Sequence, residues 1–293
     1  MAEDTPTVVT PVVLRDWRLP DPSGSKDSKG RLLVVGGCAG NPGAVLLAAE
    51  AALRVGAGKV QVATVESTAG RLAVAVPEAF VLGLAQDGDE IAASAAARIA
   101  EQASGVDAVL LGPGIGDPGA ALALLEALVP QLEVPVVVDA VGTAFLTEHA
   151  DGLGTLASGS VVTPNTEELA LVLGADDEEV GADVLGSCRR MVEATGATVL
   201  AGSAVTFAVE PGGECWRLEQ GAPGAAASGS GDVKAGAVAG LLARGAEPAQ
   251  AAVWAAYVHA GAGERLTSEV GRVGILARDL VSRLPRILDE LEV

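Results

Sequence analysis

The sequence predicts an α/β fold in which a central, mostly parallel sheet carries helices on both faces. Short unbroken apolar runs such as RLLVV, KVQVATV and VPVVV alternate with longer helical segments, as in parallel strands that are buried on both sides. Hydrophobic residues make up 49% of the 293 residues and aromatic residues only 2%, so the core must consist mainly of Ala, Val and Leu. No linker or repeat interrupts the series. We therefore expect one domain over residues 1–293, with a short N-terminal arm over about residues 1–30.

The first half of the chain predicts four strands and two helices after this arm. Pro, Ser and Asp are abundant in the arm, which we expect to be extended. The strand from Leu32 to Val35 precedes the helix GAVLLAAEAALR, which Gly56 ends because glycine readily takes the left-handed conformation beyond a helix. The remaining elements are the strand KVQVATV, the strand VDAVLLG, the helix ALALLEALVPQL and the strand VPVVVDA, which ends on Asp139.

The second half predicts two more strands, a hairpin and mainly helices. SVVTPN and ATVLAGS are the strands, and the helix TEELALVLG lies between them. The hairpin is AVTFAVEPGGECWRLE, with its turn at residues 211–213. Three helices follow over residues 233–244, 248–265 and 275–291, and Pro285 is expected to kink or split the last of them.

Composition and charge argue against several classes of protein. The formal net charge of −19 disfavours a nucleic-acid surface, which would need clustered Lys and Arg. Cys38, Cys188 and Cys215 are odd in number and far apart, which is typical of a reducing cytoplasm and not of a disulfide framework or a zinc site. The N-terminus lacks the pattern of a signal peptide, and no apolar run reaches the ~18 residues of a membrane span. We expect a soluble cytoplasmic protein.

Unusual residues cluster where the predicted strands end. In sheets of this kind, ligands bind at the carboxyl ends of the strands, so these residues predict a ligand site at one edge of the sheet. They are Gly36, Gly37, residues 112–116, Asp139, residues 163–165, Gly202 and Ser203.

The loop GGCAGNPGA after the first strand does not have the spacing of a dinucleotide-binding fingerprint. Its glycines stand at positions 36, 37, 40 and 43, which is not GxGxxG, and no GK[ST] of a P-loop is present. The loop is therefore either structural or part of the surface around some other ligand.

The two histidines do not predict a metal site or a hydrolase triad. His149 lies among acidic residues and is expected at the surface, while His259 lies in an alanine-rich helix and is expected to be packed. No order of Ser, His and Asp suggests a triad, and no metal ligands are predicted.

The strongest local signal is SGSGDV ahead of a glycine- and alanine-rich helix. Small residues at Gly229, Ser230 and Gly231 would let a phosphate approach the backbone amides at the start of a helix. Asp232 is then either a helix cap or a base that acts on a substrate hydroxyl or amine beside that phosphate.

The motif G-[ST]-G-D-V-x-A-G resembles the anion-binding turn of the ribokinase-like superfamily. Within it, the chain is most similar to the ADP-dependent NAD(P)H-hydrate dehydratases, a nucleotide-repair family. The similarity extends from about Ser25 to the C-terminus. It includes SKGRLLVVGG, PGAVLLAAEAALRVGAGKVQVAT, AVPEAFV, LLGPGIG, VPVVVDA, VVTPNTEE, SGSGDVKAGAVAGLLARG and AAVWAAYVHAGAGE.

This resemblance implies a ribokinase-like fold and the restoration of NADH and NADPH from their hydrated forms. ADP would donate a phosphoryl group, with Mg²⁺, to the hydroxyl of the hydrate, and elimination of phosphate would regenerate the nicotinamide. The substrates would be ADP and NADH or NADPH hydrate, with no nucleic-acid or membrane partner. The resemblance also implies a homo-oligomer and a functional pairing with an NAD(P)H-hydrate epimerase.

The resemblance assigns site residues by position. Ala44 and Gly114 would line the hydrate pocket, together with Asn165 and Asp232, and Asp232 would be the catalytic base. The nucleotide would bind at the segment Ala201, Gly202, Ser203, Ala204 and Val205 and at the turn Gly229, Ser230 and Gly231.

Three positions depart from the family pattern. Asn165 stands where the family has a substrate-contacting His, and it can still hydrogen-bond an amide or hydroxyl. Ala201 replaces a Lys that binds phosphate, and Val141 replaces the second Asp of a DAD strand end. Lys234, two residues beyond Asp232, either supplies a compensating positive charge or points to solvent.

Three functions follow from these residues. The dehydratase is favoured. A small-molecule kinase on the same fold would accumulate a phosphorylated product without elimination, and a nucleotide-binding protein that has lost catalysis would bind adenosine nucleotides without turnover.

Overall fold

A ten-stranded sheet runs through the computed structural model, which describes residues 5–21, 29–219 and 227–292. Two further short strands, β5 and β6, form a separate hairpin. The strands are β1 (Thr7–Val8), β2 (Arg31–Val35), β3 (Lys59–Val65), β4 (Phe80–Leu84), β5 (Gln86–Asp87), β6 (Glu90–Ile91), β7 (Ala108–Leu111), β8 (Val136–Val138), β9 (Val161–Val162), β10 (Thr198–Gly202), β11 (Thr206–Val209) and β12 (Cys215–Leu218).

The described helices pack on the two faces of this sheet. They are α1 (Pro11–Asp16), α2 (Gly43–Arg54), α3 (Glu66–Ala75), α4 (Ala96–Ala103), α5 (Pro118–Leu128), α6 (Ala144–Glu148), α7 (Thr166–Leu173), α8 (Asp177–Ala182), α9 (Val184–Thr195), α10 (Ser230–Ala243), α11 (Pro248–Glu269), α12 (Ala277–Val281) and α13 (Leu284–Glu292). None of the helices within the described ranges is both long enough and apolar enough to cross a membrane.

The order of the strands places a crevice near the middle of the sheet. The order is β1-β12-β11-β10-β9-β8-β7-β2-β3-β4. Strand β11 runs antiparallel to both of its neighbours, and the other neighbouring pairs are parallel. The chain builds outward in one direction from β2 and in the other from β7. This reversal between β2 and β7 is the position at which α/β sheets bind ligands, at the carboxyl ends of the strands.

Alternate residues of each central strand point into two separate apolar layers. Val34 and Leu110 pack with α2, α10 and α11, whereas Val35 and Leu111 pack with α4, α5 and α9. The predicted α/β fold, with its mostly parallel sheet covered on both faces, is confirmed.

Close packing of α10 on α2 fixes how the two helices are aligned along their axes. A Cβ atom at Gly236 would lie 2.2 Å from the Ala48 carbonyl oxygen, and one at Gly240 would lie 2.8 Å from Ala52 Cα. Glycine is needed at both positions because the two backbones approach so closely. The first residues of α2 and α10 therefore meet at the same edge of the sheet.

The sequence analysis missed α3, β4 and the hairpin of β5 and β6. Strand β4 lies at the edge of the sheet, its Phe80 is exposed, and Gly83 interrupts its apolar run. A Cβ at Gly83 would lie 2.0 Å from Glu66 Oε2. Glycine at this position therefore leaves room for the Glu66 side chain at the start of α3, although it interrupts the apolar pattern from which a strand is predicted. The strand over residues 108–111 was expected to be the third in chain order. It instead follows the strands β4, β5 and β6, which the sequence analysis missed.

The prediction that the N-terminal arm is extended is wrong. Within residues 5–21, β1 pairs in parallel with β12, and α1 begins at Pro11, where Thr10 caps it. Trp17 then stacks on Trp216 with ring centroids 5.1 Å apart. Residues 1–4 and 22–28 of the arm, including the start of the family similarity at Ser25, lie outside the described residues.

The C-terminal prediction is confirmed. The helix expected over residues 275–291 is split into α12 and α13, and Pro285 lies in the first turn of α13. Proline is tolerated there because the first turn of a helix has no partner for its N–H groups.

Candidate active site

The loops after β2 and β7 touch at the reversal of strand order. Gly37 N donates to the Pro113 carbonyl at 2.7 Å. Gly114 has a positive φ of 73°, and a Cβ atom there would lie 2.8 Å from the Cβ of Ala44, which is 3% exposed. The two residues expected to line the hydrate pocket, Ala44 and Gly114, are therefore brought into contact, with no space for a larger residue at Gly114.

The turn ahead of α10 depends on one of its glycines for folding and leaves the other open. Gly229 is the N-cap with φ 86°, and a Cβ there would lie 2.8 Å from Leu47 Cδ1. Gly231 is exposed, and a Cβ there would meet nothing within 4 Å. The N–H groups that open a helix lack intrahelical partners and favour anions. The space above Gly231, at the start of α10, is therefore open.

Asp232 is not the cap of this helix. Gly229 is the N-cap, and Asp232 stands inside the first turn. Burial, followed by the nearby Glu168 carboxylate, raises the pKa of Asp232 from 3.8 to about 6. A half-buried carboxylate of this kind can accept a proton near neutral pH, which favours the base over the cap.

Asp139 provides a second carboxylate at the end of β8. It is 4% exposed, and its Oδ1 accepts a hydrogen bond from Thr163 Oγ1 at 2.6 Å. Burial, together with the nearby Glu168 and Asp232 carboxylates, raises the pKa of Asp139 to about 7 against the opposing effects of the Thr163 hydrogen bond and of Lys234. Ala140, directly after it, has φ 51°, the one positive φ outside glycine in the described residues. A backbone conformation as unfavourable as this one persists only where the surrounding structure enforces it, and such conformations are common at functional sites.

Asn165 and Glu168 lock each other at the start of α7. Asn165 Oδ1 accepts from the Glu168 backbone N–H at 2.8 Å, and the Asn165 backbone N–H donates to Glu168 Oε2 at 3.0 Å. The side-chain oxygen of Asn165 is therefore committed to capping. Its amide NH₂ is the part left to bind an oxygen atom of a substrate. Burial raises the pKa of Glu168, a residue that the sequence analysis did not single out.

Lys234 points inward, and the alternative that it faces solvent is wrong. The residue is half-buried, and burial lowers the pKa of its ammonium while the negative charges of Asp139 and Glu168 oppose that shift. His259, expected only to be packed, also lies beside the start of α10. Burial and the charge of Lys234 lower the pKa of His259 to about 4, against a hydrogen bond with the Ser230 backbone. Its Nε2 is buried without a partner among the described residues.

The segment expected to hold the nucleotide forms the turn between β10 and β11. Ser203 and Ala204 are exposed there, Ser203 N donates to the Val205 carbonyl at 3.2 Å, and Gly202 has φ 138°. Ala201, in contrast, is fully buried in the core. Its side chain cannot line a binding surface, so of the five predicted residues the last four form the accessible turn.

An apolar cleft of about 440 Å³ lies next to Asp139. Val141, which stands in the position of the family's second Asp, lines it together with Ala140, Leu122, Leu171 and Glu168. Within the described ranges, no three His, Cys, Asp or Glu side chains are grouped to hold a metal ion. Mg²⁺ usually binds to one or two carboxylates together with substrate phosphates, and Asp139 and Asp232 would fit that mode when a nucleotide is bound.

The raised pKa of Asp139 predicts a cost in stability that can be measured. An acid whose pKa is 3.8 when unfolded and about 7 when folded lowers the free energy of unfolding as pH rises between those values. Asp139→Asn should therefore match wild type near pH 4 and exceed it above pH 7, by up to about 4 kcal/mol. Urea denaturation at both pH values measures this. The exposed control Asp151→Asn should change stability little at either pH, and a variant less stable than wild type at pH 8 would contradict the assignment.

The fold is that of a ribokinase-like α/β protein, with a glycine turn at the start of α10 and the Asp232 carboxylate in the first turn of that helix. A family model described as NAD(P)H-hydrate dehydratase matches residues 32–286. The ADP-dependent (S)-NAD(P)H-hydrate dehydratase of Xanthomonas campestris is 39% identical over 97% of this chain and 96% of its own length. The chain belongs to the NAD(P)H-hydrate dehydratase family, which confirms the resemblance found in the sequence.

One further relative and two solved structures are also similar to this chain. The bifunctional NAD(P)H-hydrate repair enzyme of Moorella thermoacetica is 34% identical over 92% of this chain, which spans 51% of that protein. A ribokinase-like protein of Enterococcus faecalis superposes with a TM-score of 0.83 at 24% identity, over 97% of this chain and 96% of that one. The ADP/ATP-dependent NAD(P)H-hydrate dehydratase of Bacillus subtilis, co-crystallised with ATP/Mg²⁺, superposes with a TM-score of 0.81 at 23% identity, over 99% of this chain and 100% of that one. These two structures establish the ribokinase-like fold.

Proposed function

We propose that this protein dehydrates the hydrated forms of NADH and NADPH in a reaction that consumes ADP. The observation that carries the proposal is the placement of Asp232, with a raised pKa, one residue beyond the open glycine of the anion-binding turn. The similarity to the Xanthomonas dehydratase over nearly the whole of both chains supports it.

The residues suit a transfer followed by an elimination. The amides at the start of α10 would bind the phosphates, and Asp232 would take the proton from the hydroxyl of the hydrate as that oxygen attacks the β-phosphorus of ADP. AMP leaves, and the hydroxyl becomes a phosphate ester. Phosphate then departs with the C–O electron pair, pushed by the ring nitrogen, and loss of a ring proton restores the nicotinamide. Mg²⁺, when bound to the phosphates, would reduce their charge during transfer.

The test is recovery of the absorbance of reduced nicotinamide from hydrated NADH with Mg²⁺ and either ADP or ATP. We expect recovery only when a nucleotide is present, and a rate that falls as pH drops through about 6, where Asp232 becomes protonated. Samples without nucleotide provide the control. Accumulation of a phosphorylated hydrate would favour the kinase, and nucleotide binding without turnover would favour a non-catalytic binder.

The finer properties implied by the family remain proposals. We propose a homo-oligomer, a cytoplasmic location and a functional pairing with an NAD(P)H-hydrate epimerase. The bifunctional repair enzymes among the relatives support the pairing, and the three free, buried cysteines suit a reducing compartment.

A further inference from the structure

The hairpin of β5 and β6 joins the two loops that meet at the reversal of strand order. Ile91, in β6, is buried in the core and anchors the hairpin. The turn of the hairpin reaches the loop after β2, where Ala39 N donates to the Asp89 carbonyl at 2.8 Å. Glu90, the next residue, reaches the loop after β7, where Gly116 N donates to Glu90 Oε1 at 3.0 Å. One short hairpin therefore contacts both loops.

The Glu90 carboxylate fits closely against the loop after β7. A Cβ atom at Gly116 would lie 2.7 Å from Glu90 Oε1, so only glycine lets the carboxylate keep this position. Glu90 Oε2 is buried and has no hydrogen-bond partner in the described part of the chain. The stability gained through Oε1 is therefore offset by the cost of burying an unpartnered oxygen. What the side chain provides is a fixed position for the Gly116 amide.

Gly116 lies two residues beyond Gly114, which is expected to line the hydrate pocket. A Cβ at Gly114 would lie 2.7 Å from the Asn41 carbonyl oxygen and 2.8 Å from Ala44 Cβ, and Ile115, between the two glycines, is buried. Close-packed structure transmits small displacements to its neighbours. A shift of Gly116 should therefore move Gly114 relative to Ala44 and alter the space between the two loops.

We propose that Glu90 is a positioning residue of the dehydratase site, whose carboxylate holds the loop after β7 so that Gly114 and Ala44 keep the shape of the hydrate pocket. This inference rests on the proposed function. The nucleotide phosphates are expected at the start of α10, which is a different element. Loss of the Glu90 carboxylate should therefore weaken use of the hydrate and leave ADP binding intact. The hydrogen bond itself can be measured without any substrate.

Hydrogen exchange of the Gly116 amide makes that measurement. In Glu90→Ala the amide loses its acceptor, and its exchange should become at least ~10-fold faster, as expected for the loss of a hydrogen bond to a charged group. Glu90→Gln keeps an acceptor oxygen and should stay within about 3-fold of wild type. Asp89→Ala is the matched control, because it removes an exposed carboxylate next to Glu90 and keeps the carbonyl that binds Ala39. Its Gly116 amide should exchange as in wild type.

The kinetics of hydrate repair supply the second readout. In Glu90→Ala, kcat/KM for hydrated NADH should fall roughly 10- to 100-fold, the range expected when a group that positions the substrate is misplaced by about 1 Å. The affinity for ADP, measured by calorimetry, should equal that of wild type. Glu90→Gln should restore most of the activity, and Asp89→Ala should be fully active. A residue needed only for stability would lower the melting temperature and affect both ligands alike.

Gly116→Ala tests the same contact from the other side. The added methyl group would meet Glu90 Oε1 and displace the carboxylate, so kcat/KM for the hydrate should fall in this variant as well. In the Glu90→Ala background that obstacle is gone, and Gly116→Ala should then cost little more. Fully additive losses would show that the two residues act separately and would contradict the inference.

The possible outcomes separate this inference from the proposed function. Unchanged exchange of the Gly116 amide, unchanged kcat/KM for the hydrate, or an equal loss of ADP affinity in a folded Glu90→Ala protein would overturn the inference. Should Glu90→Ala not fold, the same measurements on Gly116→Ala decide. A wild-type protein that repairs no hydrate would remove the proposed function, and the exchange data would then decide whether Glu90 holds the loop.

Discussion

Asp232→Asn should lower the rate of hydrate repair at least ~100-fold, within the range that general-base catalysis contributes. The amide keeps the shape of the side chain but cannot accept the proton. Because burial raises the pKa of Asp232 to about 6, removal of its charge should not lower the melting temperature. ADP affinity, measured by calorimetry, should stay close to wild type, so the loss should appear in kcat.

Asp183→Asn is a matched control for this substitution. Asp183 caps α9 by accepting from Gly186 N at 2.8 Å, and asparagine caps equally well. Its activity should equal that of wild type. Full activity in a folded Asp232→Asn protein would mean that Asp232 is not the base.

Gly231→Val should abolish tight binding of ADP and leave folding nearly intact. A Cβ at Gly231 meets nothing within 4 Å in the protein, and valine has no lower helix propensity than glycine, so the substitution should cost the fold little. A phosphate above the turn would lose one or two charge-assisted hydrogen bonds, which corresponds to roughly 10- to 1,000-fold in affinity. Calorimetry with ADP and with adenosine measures the difference, because adenosine carries no phosphate.

Two glycine variants serve as controls for this prediction. Gly70→Val places the same side chain on α3, where it also meets nothing within 4 Å, and should leave ADP binding unchanged. Gly229→Ala should instead destabilise the fold, since Gly229 has φ 86° and lies against Leu47. Unchanged ADP affinity in Gly231→Val would place the phosphates elsewhere.

The central part of the fold could be predicted because parallel strands that are buried on both faces consist of unbroken runs of apolar residues. Leu32 to Val35 illustrates this, and the strand occupies residues 31–35. Edge elements carry no such signal. Strand β4 has an exposed Phe80, and β1 has only two residues, both exposed. Their structure depends on partners far away in the sequence, as the pairing of Thr7 with Trp216 shows.

The parts of the candidate site that depend only on neighbouring residues in the sequence could be predicted. Gly229 and Asp232 could be found because a glycine turn before a helix has its own pattern. The direction of Lys234 could not, since it depends on carboxylates contributed by β8 and α7. The burial of Ala201 likewise follows from which face of β10 meets the core, and a short strand does not reveal its face without its neighbours.

The docking of the first strand has a consequence for the order of folding. The carbonyl oxygen of Trp17 accepts hydrogen bonds from Gln250 Nε2 at 3.1 Å, across 233 positions of sequence, and from Trp254 Nε1 at 2.9 Å. Residues 7–17 therefore emerge from the ribosome long before the hairpin and the helix on which they rest. The entropy of closing so long a loop grows only slowly with its length, but such distant contacts slow folding. This segment is thus synthesised before its partners yet is among the last to dock, and until it docks the outer edge of β12 stays open for pairing with other chains.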